Sequence, residues 1–285
     1  MIAVIGVSGA LLFGGVYSAL ANSSGYDIYK EALKKTHQLD STTMNMSLAL
    51  EDNSRELYRM ESVMKTNRIE DLLEMESTVT NGNDLMKYDM AKQDGEFLVH
   101  KDDENKVYVM ESKGFHNGSE SEGNESMVLR KDLEILVDLL TKKYQKKIIV
   151  EDNQNGTYLI DLELSNSELP TVLNAFTSFI YKHANLLVDR VGDSESNFHS
   201  VKPELPDLKE DILIEEVKVS AKISKGNYVE EQFVSAIITG KDESGTAQKL
   251  EITFKLDLTK ANETIVTPMD VTGLELVEFE HGHGK

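Results

Sequence analysis

The sequence predicts an α+β fold. One large curved antiparallel sheet of about 10–11 strands, half-barrel-like, should carry two main helices on its concave apolar face, with an apolar helix ahead of it. Three observations predict this. Apolar and polar residues alternate through two long stretches, residues 44–110 and 217–258. Turn pairs such as Asn81-Gly82, Asp94-Gly95 and Asn155-Gly156 punctuate the alternation. Between the two stretches, two segments change to a helical period.

The chain opens with residues 1–21, which carry no charge. Roughly 20 such residues can span a bilayer as a helix. Small residues at Ala19 and Ala21 fit the cleavage pattern of a secretory signal. Residues 1–22 are therefore either a cleaved signal or a membrane anchor. No Lys or Arg precedes the apolar run, while Lys30, Lys34 and Lys35 follow it. That order opposes the positive-inside rule, so a basic leader upstream of Met1 is expected.

Residues 23–38 read as a helix, with Ser23 or Ser24 as cap and Tyr26, Ile28, Tyr29, Ala32 and Leu33 as its stripe. The period then becomes two. Met44, Met46, Leu48 and Leu50 alternate with smaller or polar residues, as do Tyr58, Met60 and Met64. Leu73, Met75 and Val79 repeat the pattern, then Met86, Tyr88 and Met90, then Phe97 and Val99, and finally Val107 to Met110. This is a meander of about six strands with one apolar face and one wet face. Residues 113–125 form a polar loop. Residues 127–144 read as a helix striped by Leu129, Leu133, Leu136, Val137 and Leu140. Two strands flank Asn155-Gly156. A second helix, residues 168–187, carries Val172, Phe176, Phe179 and Ile180, with Pro170 in its first turn.

Residues 192–206 are a polar connection containing Pro203 and Pro206. A second meander follows through Val217, Val219, Ala221 and Ile223, then residues 233–239, then Leu250, Ile252, Phe254, Leu256 and Leu258. An extended piece near residues 264–266 leads to a polar tail at 276–285. Each half alone would leave sheet edges to cover, so residues 23–275 are expected to form a single domain.

The 285 residues hold 30 Lys plus Arg against 50 Asp plus Glu, a net charge of −20. Such a surface repels phosphate backbones, which argues against nucleic-acid binding. Cysteine is absent. That removes disulfides, thiol catalysis, cysteine-based zinc sites and the lipidated cysteine of a lipoprotein. No nucleophile elbow, P-loop, zinc-protease pair or dinucleotide turn occurs, so no catalytic residues and no cofactor are expected. His281 and His283 read as a solvated tail rather than a metal site. Residues 152–156 lack the alternating acids and distal Glu of a calcium loop and read as a hairpin.

Methionine is the unusual residue. Met44, Met46, Met60, Met64, Met75, Met86, Met90 and Met110 place eight of the chain's 11 methionines in the first meander, most on the apolar parity. Methionine is flexible and polarizable and lines surfaces that accept irregular apolar partners. These residues either pack as ordinary core or line a groove. The groove set is Met44, Met46, Met60, Met75, Met86 and Met90, covered by Leu136 and Phe176 from the two helices.

A capped helix, a long meander, helices inserted before the last strands and an export segment together resemble the LolA/LppX-like superfamily of bacterial extracytoplasmic lipoproteins. The likeness covers roughly residues 25–270, in element order. It implies a half-barrel with helices in its concavity and a lipid-handling role, in proteins that include surface proteins of Gram-positive bacteria. This chain departs from lipoprotein members in lacking the lipobox cysteine, so residues 1–21 would have to supply any anchoring. Two functions follow as expectations for an extracytoplasmic protein. One is a carrier or sensor of a lipid or other apolar ligand between sheet and helices. The other is a ligand-free, membrane-tethered interaction module or accessory subunit of a cell-envelope complex. A hydrolase is disfavoured by the missing nucleophile and base.

Overall fold

The computed structural model describes residues 25–111, 144–169, 205–206 and 208–278. The first described element is helix α1 (Gly25–His37), as its apolar stripe predicts. A meander follows: β1 (Ser41–Asp52), β2 (Arg55–Asn67), β3 (Leu72–Asn81), β4 (Asp84–Gln93), β5 (Glu96–Lys101) and β6 (Lys106–Glu111). Then come β7 (Ile149–Asp152), β8 (Tyr158–Ser165), β9 (Glu210–Ile223), β10 (Val229–Lys241), β11 (Ala247–Ala261) and β12 (Glu275–Glu278). All twelve strands join one sheet in the order β12-β6-β5-β4-β3-β2-β1-β11-β10-β9-β8-β7.

Local chemistry explains the hairpins. Asp94 and Gly95 both take positive φ, 52° and 80°, as a type I′ turn requires. A Cβ on Gly95 would meet nothing within 4 Å, so the demand there is purely conformational. The turn between β1 and β2 uses Asn53 and Ser54, at φ 48° and 67°, with no glycine.

Every strand pairing is antiparallel except β12 with β6. The two meanders meet where β1 pairs with β11, setting Met44 opposite Leu258 and Leu48 opposite Phe254. One sheet face is apolar across that seam. Leu48, Met60, Val79, Ile238, Leu250 and Phe254 belong to a single buried cluster. Helix α1 covers the β8–β10 end of this face, where Ala32 packs with Ile160, Ala221, Ile223 and Val229. Thr36 pins the helix there. Its Oγ1 donates to the Ala32 carbonyl at 2.8 Å and accepts from the Val229 N–H at 2.9 Å. Gln232 Nε2 donates to the Tyr29 hydroxyl at 2.6 Å, and burial pushes the Tyr29 pKa well up. At the helix start, Gly25 lies so close to Ile148 and Val150 that a Cβ would clash with both.

The opposite face is not uniformly wet, contrary to expectation. Residues 262–274 cross the sheet as a strap from β11 to β6. Asn262 N–H donates to the Ser41 carbonyl at 2.7 Å, Thr267 N–H to Glu74 Oε2 at 3.1 Å, and Met269 N–H to Gln93 Oε1 at 2.7 Å. Met269, Val271 and Leu274 then pack over a second small core of Ala91, Leu98 and Val107. The uninterrupted apolar runs Phe97 to Val99 and Val107 to Val109 are the sequence trace of strands buried on both faces. Residues 275–278, spanning the start of the expected polar tail, continue the strap as β12.

The expected α+β architecture is corrected. The described residues form a mainly β structure with twelve strands and one α-helix, and they contain neither two main helices on the apolar face nor an N-terminal apolar helix. The helix that does lie on that face is α1. Residues 1–24 are outside the described residues, as are all but the ends of the segments expected as helices at 127–144 and 168–187. Of those ends, Tyr144 is α-helical, whereas residues 168 and 169 are not. Residues Gln145–Lys147 form a short 3-10 turn leading into β7. Asn166–Glu168 form another, closed by a capping box between Ser165 and Glu168, and Leu169 is extended at ψ 126°. The residue before a proline disfavours the α region, which keeps Leu169 out of a helix ahead of Pro170. Among the described residues, no helix is long and apolar enough to cross a membrane.

Candidate functional site

Beside α1 the apolar face is only partly covered. A half-open groove of about 420 Å3 lies there, over β1–β4 and β11. Its floor is Met44, Met46, Met64, Leu73, Phe254 and Leu256. One wall is the end of α1 with Thr36, His37 and Leu39. The other is the β2–β3 turn, residues 67–72, together with Lys92 and Phe97.

Strand register builds the floor. Met44 faces Met64, Met64 faces Met75, and Met75 faces Met90, so four methionines form one row across β1–β4, of which Met44 and Met64 line the groove. Directly opposed side chains in an antiparallel sheet have Cβ atoms about 4.5–5.5 Å apart, so the row is continuous. The next row toward the sheet interior holds a polar pair, Ser62 and Ser77, both buried and hydrogen-bonded Oγ to Oγ at 2.8 Å. Beyond Ser77 stands Tyr88, whose hydroxyl donates to Met86 Sδ at 3.2 Å. Burial raises the Tyr88 pKa, and burial with the neighbouring Tyr88 pushes Tyr58 up to about 12. Both phenols therefore stay protonated donors across the physiological range.

The structure divides the sequence-derived site set. Met44 and Met46 line the groove. Met60, only 2% exposed, and Met75 are buried in the main core cluster, with Met86 and Met90 packed against it. Leu136 and Phe176 lie outside the described residues. Met64 lines the groove although it was not in that set, as do Thr36, Leu39, Lys92 and Phe97. Lys92 was readable, because it continues the buried parity of Met86, Tyr88 and Met90.

Lys92 is the buried charged side chain of that second wall. The residue is 6% exposed, its Nζ lies 5.9 Å from the Phe97 ring centroid, and it pairs with Asp71 on the turn. Arg68, on the same turn, pairs with Asp40 at 2.7 Å. Burial lowers the pKa of His37, which is therefore neutral at pH 7. A second depression, of about 500 Å3, lies on the opposite face among Glu61, Glu76, Lys87, Asp89, Lys255 and Asp257. It is larger, but every residue lining it stands on β1–β4 or β11, so it is a sheet face without walls. The groove has walls from a helix and a turn, and an apolar floor, which is the usual character of a small-molecule site. Among the described residues, no group of three or more His, Asp or Glu side chains is placed to hold a metal.

No family model and no curated protein matches the chain. Among solved structures, a β-barrel-like protein of a domain of unknown function, DUF1849, from Brucella abortus is a weak neighbour. It has 6% identity and a TM-score of 0.17, covering 78% of this chain and 99% of that one.

Proposed function

We propose that this chain is an extracytoplasmic binding protein that takes an apolar ligand, such as a lipid, into the methionine-floored groove. The observation that carries this reading is the groove itself. It holds about 420 Å3 of unfilled space, within the roughly 300–1,000 Å3 typical of ligand sites, on a face that is otherwise packed. Unbranched thioether side chains such as Met44, Met46 and Met64 adapt to a chain-like ligand and relax when it leaves. The uncharged segment at residues 1–21 supports a location outside the cytoplasmic membrane.

The test combines extraction and filling. Organic extracts of natively purified protein are analysed by mass spectrometry, and binding of the neutral apolar dye N-phenylnaphthylamine is measured by fluorescence. Met64→Phe should fill part of the groove and weaken dye binding while the fold persists. Lipid-free extracts together with no dye binding by the unaltered protein would defeat the proposal.

A further inference from the structure

Resting on that reading, we infer that the ligand is a single-chain amphiphile with a carboxylate head, and that Lys92 is the group that receives the head. A buried ammonium in an apolar groove costs several kcal/mol of lost hydration, so it needs a strong anionic partner. In this structure that partner is Asp71, and the pair is lopsided. The Lys92 side chain is 8% exposed and the Asp71 side chain 68% exposed. Asp71 sits on the β2–β3 turn, outside the groove floor, and can return to water at little cost because its carboxylate is already mostly hydrated. An incoming carboxylate therefore meets a fixed cation and a displaceable competitor.

Placement fits the chain as well as the head. Lys92 faces Leu73, two residues along the strands from the Met90–Met75 pair, so it stands in the row beside the methionines, at the β4 side of the groove. From there the groove floor runs over Leu73 to Met64 and Met44. A head on Lys92 would lay its chain along that floor. The Phe97 ring beneath Nζ holds the ammonium by cation–π attraction. One lysine offers one compact positive charge, which suits a singly charged carboxylate better than the bidentate clamp that phosphate recognition favours. With a net charge of −20 over the chain, a cation retained at this buried position is the feature that sets the ligand's sign.

The experiment displaces the fluorescent fatty acid cis-parinarate from the full chain with palmitate, palmityl alcohol or palmitylamine. Palmitate should bind more tightly than the alcohol by about tenfold or more, the scale of one charge-assisted hydrogen bond. The amine should bind weakest. Lys92→Met should abolish the preference for palmitate over the alcohol, lowering palmitate affinity far more than alcohol affinity. Asp71→Asn changes an exposed side chain and should widen the preference, because the competitor is gone. It decides the matter alone if Lys92→Met does not fold. Equal affinity for acid and alcohol would overturn the inference and leave the groove reading standing. Binding to phosphatidylglycerol vesicles with none to palmitate would also overturn it. If neither acid nor alcohol binds, the groove reading falls and takes this inference with it.

Discussion

Met60 and Met64 lie on one strand, four residues apart, yet truncating them should have different costs. Met60 is 2% exposed, flanked by Leu48 on β1 and Val79 on β3, both buried. Met60→Ala removes three heavy atoms from a closed core and leaves a cavity, so the expected loss is about 2–5 kcal/mol. Met64 is half-buried and lines the groove. The space its truncation vacates merges with existing open volume, so no new closed cavity forms. Only part of the transfer term is lost, about 1 kcal/mol, because burying a whole methionine side chain is worth about 1.5–3 kcal/mol. Urea unfolding followed by circular dichroism measures both, with equal slopes expected for the two variants. If Met64→Ala costs as much as Met60→Ala, the groove is closed in solution and the argument from its open volume is wrong.

Face assignment can be checked on β11. Phe254→Asp puts a charge into the main core and should abolish cooperative unfolding, while Thr253→Asp, on the other parity, should cost under about 1 kcal/mol. The Ser62–Ser77 pair invites a double-mutant cycle by urea unfolding. Either Ser→Ala alone should cost about 1–2 kcal/mol by orphaning a buried hydroxyl, and the double change should cost less than the sum; strict additivity would show the pair is not coupled. Acid sensitivity has named sources. The Lys147 ammonium and Ser165 hold the Glu168 carboxyl at about 2, and Ser244, Thr246 and Gln248 hold Asp242 at about 2. Both values are depressed on folding, so the stability they confer is complete above the ordinary carboxylate values of 4.5 and 3.8. It is lost as pH falls toward 2. Glu168→Gln and Asp242→Asn should therefore flatten the melting temperature against pH between about 4.5 and 2, and an unchanged slope would contradict the assignment.

Much of the sheet was legible because strand signals are local. The alternation through Met44 to Leu50 and through Leu250 to Leu258, and the Asp94-Gly95 pair, state period and turn within a few residues. The helix over Gly25–His37 was legible for the same reason. Asn53 and Ser54 hid their turn because neither is glycine, although both adopt positive φ. The seam between β1 and β11 was not legible, since period alone does not say which strand will be a neighbour. The strap was missed because residues 262–274 show no period; they are held mainly by hydrogen bonds to Ser41, Glu74 and Gln93. The helical periods at 127–144 and 168–187 fall almost wholly outside the described residues, where Tyr144 is α-helical and the 3-10 turn at Asn166–Glu168 ends before Pro170. Methionine enrichment marked the apolar face. It did not separate the core methionines from those of the groove, because strand parity assigns a face and not a depth.

The β1–β11 seam has a consequence for how the molecule is made. The strands of the first meander pair with their sequence neighbours, and such short loops close cheaply and fast. The free edge of β1 must wait for β11, whose Leu258 pairs with Met44. At synthesis rates of about 5–20 residues per second, roughly 200 intervening residues take about 10–40 s to appear. Over that interval an emerging chain would present an open strand edge beside an uncovered methionine surface, the combination most prone to pairing with another chain. Refolding yield should therefore fall steeply with protein concentration, and the vulnerable species should be the N-terminal half of the sheet rather than the finished molecule.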